Sequence, residues 1–362
     1  MIRWRYITGE SETASRGLAT DEFLMDKYSR WAEDGYPDPV LRISTLRSHC
    51  VLVGRFQNTE AEVNLPECSI MGVEVNRRAT GGGTVLMGED QLLVSFASSA
   101  HHPIVPAHPA RMLPKLAKGI VAGLELLGIP AEFRPKNDIE VGGRKIGGTA
   151  IYIEESGALL YHATVLLDFD MPLMLETLSI PMEKISDKEI NSIEERLTTA
   201  NRELGRAVSV DEAREAICKG FEQAFKMSAV YSPFSPEEIE KIEKLEREKY
   251  KSPEWVFQRQ PAPDMLGTSI KKTPAGMVRA YASLSGDIIK SVLITGDFFS
   301  GDRIINNIEA ALKWGKSDRE SIAKGIKLTI GNETETVEGI DVDMMADIIY
   351  SAVVSAKTSQ SG

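Results

Sequence analysis

Three consecutive glycines set between two strand-like runs constrain this chain more than any other feature. "GVEVNRR" leads into "ATGGGTVLMGED", and "QLLVSFASS" follows. Both flanking runs read as β-strands, so Gly81, Gly82 and Gly83 join β elements and do not open a helix. That setting excludes a dinucleotide fingerprint, and no Lys-Ser or Lys-Thr follows the glycines as in a Walker loop. Glycines also let backbone N–H groups approach an anion with no Cβ in the way. Arg77 and Arg78 precede them on an alternating strand, so only one can face the loop side. A guanidinium offers a planar fork suited to phosphate.

The rest of the chain mixes both periodicities. "ATDEFLMDKYSRW" predicts a helix with Phe23, Leu24, Tyr28 and Trp31 on one face and Thr20 as N-cap. "VLRISTLRSHCVLVGRF" predicts strands. Leu113, Leu116, Ile120, Leu124 and Leu127 have the helical period, stopped by Gly128 and Pro130. "NDIEVGGRKIGGTAIYIEESGALLYHATVLLDFD" predicts β-hairpins turning at Gly142-Gly143 and Ser156-Gly157. Ser209 and Glu212 form a capping box for a helix carrying Ala213, Ile217, Phe221 and Phe225, with Cys218 beside that face. "SPEEIEKIEKLEREKYKSPEW" predicts an exposed charged helix ending near Pro253. A three-stranded meander and helices over 302–314 and 341–355 follow. The expected fold is α+β, a mixed or antiparallel sheet flanked by helices. Two domains are expected: 1–252, ending in the charged linker, and a small α+β domain at 253–362.

With 362 residues, 42% hydrophobic and 26% charged, the chain has ample material for a packed core. A formal charge of −11 disfavours nonspecific nucleic-acid binding. No apolar run approaches the roughly 18–20 residues needed to span a membrane. The opening "MIRWRYITGESETASRG" lacks the apolar core of a signal peptide. Cys50, Cys68 and Cys218 are odd in number and have no metal-like spacing, which suggests a reducing compartment. A cytoplasmic protein with no nucleic-acid or membrane partner is expected.

Four segments, "VLVGRFQN", "RRATGGGTV", "KNDIEVGGRKIGGTA" and "YHATVLLDFD", resemble in order and spacing the lipoate–protein ligase family. "EWVFQRQPAPD" and the meander behind it look like that family's C-terminal accessory domain. The resemblance implies a biotin/lipoate ligase-like catalytic domain and a two-step reaction. Lipoate and ATP, with Mg2+, give lipoyl-AMP, and the lipoyl group passes to a lysine of an acceptor. The acceptor would be an E2 lipoyl domain, a glycine cleavage H protein or a similar carrier. By the same resemblance Lys145 is the catalytic cation at the activated carboxyl and phosphate. Arg78 contacts the adenylate, and Gly81, Gly82, Gly83, Thr84, Val85 and Leu86 line the nucleotide. Asn137, Asp138, Gly147, Gly148 and Thr149 complete that site, with Asp138 as metal ligand. Gly54, Arg55, Gln57 and His162 are assigned to the lipoate pocket. Where the family usually has an aromatic followed by His-Asp, this chain has Leu86-Met87-Gly88.

Three other functions compete. An ATP-independent octanoyl or lipoyl transferase of similar fold would need a cysteine thiolate to carry the acyl group. Cys68 has no neighbouring His or Lys in sequence that would activate it, and Cys50, next to His49, lies in a predicted strand. A biotin–protein ligase would carry a different adenylate loop. A non-catalytic, ligase-like partner subunit rests only on the lost His-Asp.

Overall fold

The computed structural model describes residues 3–28, 37–179, 195–299, 302–331, 335–337 and 339–360. It divides into two compact units. The first takes in Met1–Leu52, Val63–Ala79 and Val85–Val256; the second takes in Val53–Glu62, Thr80–Thr84 and Phe257–Gly362.

An eight-stranded sheet organises the first unit. Its strands are β1 (Arg3–Glu12), β2 (Val40–Leu46), β6 (Gln91–Ser99), β7 (Glu132–Arg134), β8 (Asp138–Val141), β9 (Arg144–Ile153), β10 (Ala158–Leu166) and β11 (Ser228–Tyr231). They lie in the order β11-β1-β2-β6-β10-β9-β8-β7. β1 runs parallel to both β11 and β2, and the pairings from β2 to β7 are antiparallel, so the sheet is mixed as expected. β3 (Cys50–Val53), β4 (Glu74–Arg77) and β5 (Val85–Met87) form a separate small sheet. The hairpin turns fall at Gly142, Gly143 and Gly157, all with positive φ, where L side chains are strained.

Alternation along the strands sends one set of side chains to each face. Trp4, Leu41, Ile43, Phe96, Leu159, Tyr161 and Val165 meet Leu116, Ile120, Ile217 and Phe221 in the main core. Those partners come from two long helices, Pro109–Leu126 and Val210–Phe225. The helices touch backbone to backbone at three glycines: a Cβ on Gly220 would lie 2.2 Å from Gly123 N and 2.4 Å from Gly119 O. The second face is covered only in part. There α1 (Ala14–Asp26) packs Leu24 and Met25 on Ile7, Val40, Ala97 and Leu160.

Several local expectations are corrected. The N-cap of α1 is Thr13, whose side chain accepts from Arg16 N at 3.2 Å. Thr20 is buried inside the helix and donates to Arg16 O. Trp31 lies outside the described residues. Ser209 does cap its helix, yet the Glu212 carboxylate turns to Arg206. The full capping box is at Ser235 and Glu238. The charged helix Pro236–Leu245 then runs into a π-helical turn, Glu246–Tyr250.

In the second unit β12 (Gly267–Thr273), β13 (Gly276–Ser285) and β14 (Ile288–Gly296) form the expected meander. Helices Asp302–Leu312 and Val342–Gln360 pack with it in one core, together with an unforeseen helix, Arg319–Ile330. Among the described residues no helix is long and apolar enough to cross a membrane.

Two stability outcomes follow. Gly220→Val inserts side-chain volume where two helix backbones meet, and should cost about 1–3 kcal/mol, read as a lower Tm. Glu238 binds Arg5 and Lys27, and the Arg5 hydrogen bond leads the contacts that hold its carboxyl down at about 2. Its contribution is therefore complete above the ordinary value of 4.5 and fades as pH falls toward about 2. Glu238→Gln should remove that part of the acid-denaturation slope.

Candidate functional site

The polar side chains of the second face run from buried positions on β2 and β6 out to its uncovered part on β9 and β10. Register fixes which residues share it, since paired residues in neighbouring strands point the same way. One row reads Arg42 on β2, Ser95 on β6, His162 on β10 and Ala150 on β9. The next reads Ser44, Leu93 and Thr164, and beyond them Asp138 on β8 pairs with Gly148 on β9. The Gly148 N–H donates to Thr164 Oγ1 at 3.2 Å, joining the two pairs.

Lys145 stands at the edge of this patch. Its Nζ is 2.7 Å from Asp138 Oδ1, with both side chains about one-third exposed (37% and 30%). The backbone beneath it is fixed through both of its polar groups: Lys145 N donates to Arg196 O at 2.8 Å, and Thr198 N donates to Lys145 O at 2.9 Å. Each neighbouring glycine has a separate reason. A Cβ on Gly147 would come 2.2 Å from Thr164 O, and one on Gly148 would press on Lys145 Nζ at 3.4 Å. Thr149 donates twice to Asn137 O, at 2.7 Å through N and 3.1 Å through Oγ1. That tie sets the turn ahead of Asp138, where Lys136 has φ of 100°.

His162 sits deeper, over a buried ionic cluster absent from the expected site. Asp21 of α1 receives Arg42 Nη1 at 2.7 Å and Ser95 Oγ at 2.7 Å, and Arg42 Nη2 also meets Glu12. His162 Nε2 lies 2.9 Å from Asp21 Oδ2, at a slant short of a straight hydrogen bond. Burial pushes the Asp21 carboxyl up, but Arg42, His162 and Ser95 together hold it below the usual range.

The double arginine divides its work. Arg77 is fully buried and turns to the end of the linker, donating to Trp255 O and Val256 O, while Trp255 Nε1 donates to Arg77 O at 2.8 Å. Arg78 Nη1 donates to Leu52 O at 2.9 Å, and burial lowers its guanidinium to about 10. Val85 is exposed and Leu86 buried, paired with Leu52 and Val51. Gly88 leaves the space that His49 and Asp90 fill, since a Cβ there would meet both at 2.6 Å.

The remaining expected residues belong to the second compact unit. Gln57 Oε1 accepts from Gly54 N at 3.0 Å and from Thr84 Oγ1 at 2.8 Å, and Arg55 N donates to Thr80 O. A Cβ on Gly54 would meet Gly82 O at 1.9 Å, and one on Gly81 would meet Phe298 O at 2.5 Å. Gly82 has φ of 94°. Gly83 is different: its Cβ would find only the Asp297 side chain, at 3.9 Å.

Nothing in the donor set supports the expected Mg2+. Asp138 is the only carboxylate proposed for it, it is paired with Lys145, and no group of three potential ligands occurs among the described residues.

A family profile described as "Lipoyl protein ligase A/B catalytic domain" matches residues 13–222. The chain is 29% identical to an octanoyltransferase LipM of Brevibacillus brevis, over 72% of its own length and all of the relative's. It is 30% identical to the octanoyltransferase LipM of Carboxydothermus hydrogenoformans, over 71% of its length and all of that relative's. A bipartite lipoate protein ligase of Thermoplasma acidophilum, studied with its E2 lipoyl domain, superposes with a TM-score of 0.64 at 27% identity, covering 72% of this chain and 99% of that one. The expectation of an ATP-dependent ligase is corrected by the octanoyltransferase relatives, which span 71–72% of the chain.

The loop glycines give a direct contrast. Gly81→Ala should lower the Tm of the chain, because backbone occupies the space the Cβ needs. Gly83→Ala should leave the Tm unchanged, and an equal fall in both would remove the distinction.

Proposed function

The chain belongs to the lipoyl protein ligase A/B catalytic-domain family, and on that premise we propose that it is an acyltransferase moving an octanoyl-type group from a thioester donor to an acceptor lysine. The octanoyltransferase relatives support the reaction class. The Thermoplasma neighbour's pairing with an E2 lipoyl domain supports a lipoyl-domain acceptor. The observation that carries the reading is Lys145, a cation held by Asp138 at the edge of an open sheet face that also presents an apolar side chain, the partly exposed Ala150. An apolar acyl chain suits the latter, and an ammonium suits the oxyanion formed when a thioester carbonyl is attacked. Arg78, a guanidinium whose burial disfavours its charge, is proposed to meet the anionic part of the donor. Residues 253–362 are proposed to act as the accessory body.

A cysteine-borne acyl intermediate lacks a candidate. Cys50 packs among Leu46, Leu52 and Met87, and burial raises its thiol well above the ordinary value. Cys68 donates to Thr177 O at 3.7 Å and is likewise raised, first by burial. Cys218 packs against the main core, and burial pushes it up to about 12. Thiolate is the nucleophilic form, so all three are poorly reactive. The acceptor amine then attacks the thioester directly: the C–N bond forms, the C–S bond breaks, and the donor leaves as a thiol.

The test supplies octanoyl thioester and a lipoyl-domain acceptor without ATP, with acylation read by intact mass. Wild type should acylate the acceptor. Lys145→Ala should slow turnover on the order of 10²-fold. Replacing all three cysteines by alanine should leave the rate per folded molecule unchanged. Acylation seen only with free octanoate plus ATP would overturn the reading, and a cysteine-dependent rate would overturn the direct route.

A further inference from the structure

An acceptor lysine arrives as an ammonium and attacks only after losing a proton, and Lys145, itself a cation, is ill suited to take it. We infer that His162 takes that proton and that Asp21 is the positioning residue that sets its ring. The inference rests on the acyl-transfer reading and adds the base that this reading leaves unassigned.

The row Arg42–Ser95–His162 grades from interior to solvent. The Arg42 side chain is 0% exposed, that of Asp21 6% and that of His162 18%, so His162 is the member of the three that comes nearest the open face. Asp21 Oδ1 is taken by Arg42, and Oδ2 is shared by the Ser95 hydroxyl and His162 Nε2. A carboxylate facing Nε2 favours the tautomer with its proton there, which leaves the Nδ1 lone pair for a substrate proton. Charge counting points the same way. Glu12 and Asp21 flank one guanidinium, Arg42, so the cluster carries one negative charge in excess. An imidazolium formed at His162 balances it. Thr164, two residues along the same face, and Gly148 bring this end of the row to the Lys145 ammonium.

The protons balance as follows. The acceptor ammonium gives its first proton to His162, which releases it to water. The free amine attacks the acyl carbon. As the C–N bond forms and the C–S bond breaks, the nitrogen's second proton passes through His162 to the departing thiolate.

The experiment measures kcat and KM for octanoyl thioester and lipoyl-domain acceptor with wild type, His162→Ala, His162→Gln and Asp21→Asn, with and without added imidazole. His162→Ala should lose on the order of 10²-fold or more in kcat, with the donor KM kept and part of the rate restored by imidazole. Asp21→Asn should lower kcat without raising KM. Because it also strips Arg42 of a charged partner and can weaken folding, His162→Gln, which leaves the Arg42–Asp21 pair intact, serves as the second variant and should be as slow as His162→Ala. A wild-type rate in His162→Ala, or a loss that imidazole does not restore, overturns the inference alone. A wild-type chain that does not acylate the acceptor from the thioester overturns the transfer reading and this inference with it.

Discussion

A buried guanidinium in the middle of a sheet has to be answered, and Arg42 is answered from two directions. Its neighbours on β2 face the apolar core, and its own side chain is fully removed from water. An unpaired charge there would cost several kcal/mol. Asp21 comes from α1 and Glu12 from the end of β1, so the ion cluster determines where α1 lies on the second face. That placement covers Ile7, Val40, Ala97 and Leu160 and leaves Ala150, Thr164 and Gly148 open. The position of the candidate site is thus the complement of the position of α1. The helix is held at its other end as well: Glu74 accepts from Ala14 N and Ser15 N, a carboxylate at the positive end of a helix.

Chemistry of this kind depends on side chains that do not wander. Lys145 gets this from its backbone, which lies in register with Glu140 of β8 and is hydrogen-bonded through both N–H and carbonyl to residues 196–198, and from Asp138 at its tip. Sites on paired strands are more exact than sites on free loops. The nearby glycines serve the same end in a plain steric way. Gly147 exists because a neighbouring strand's carbonyl fills its space, and Gly148 leaves the Lys145 ammonium its place, since a Cβ there would lie 3.4 Å from Nζ.

Much of the fold was legible in the sequence because it is periodic. The strands at Val40–Leu46, Gln91–Ser99 and Ala158–Leu166 alternate, and the helix at Val210–Phe225 carries its apolar stripe. The α1 start was misread because Thr13 and Thr20 are both acceptable caps locally, and only Glu74, about sixty residues away, decides between them. The helix Arg319–Ile330 was missed because its buried face is three isoleucines among charges. At the candidate site, the neighbourhood of Lys145, Asp138 and His162 is one the motif resemblance points to. Asp21, Arg42 and Ser95 were not legible, since each is unremarkable in its own segment and the cluster, with Glu12 and His162, exists only across five elements. The double arginine shows the limit of local reading. Alternation says that one of the pair turns away, but nothing within "RRATGGG" says that it holds the carbonyls of Trp255 and Val256.

The second compact unit is assembled from three separated stretches, and its core includes a residue from the first of them. Phe56 stacks on Phe298 with ring centroids 5.1 Å apart, its carbonyl accepts from Gly296 N, and Glu62 pairs with Arg279. On the ribosome these partners are made roughly 200 residues after Phe56, a delay on the order of ten seconds or more. Every strand of the large sheet is complete by Tyr231, so the sheet can close while an apolar aromatic on Val53–Glu62 still lacks its neighbour. The order of synthesis therefore leaves Phe56, on a mostly polar stretch, waiting for the aromatic partner that completes its core.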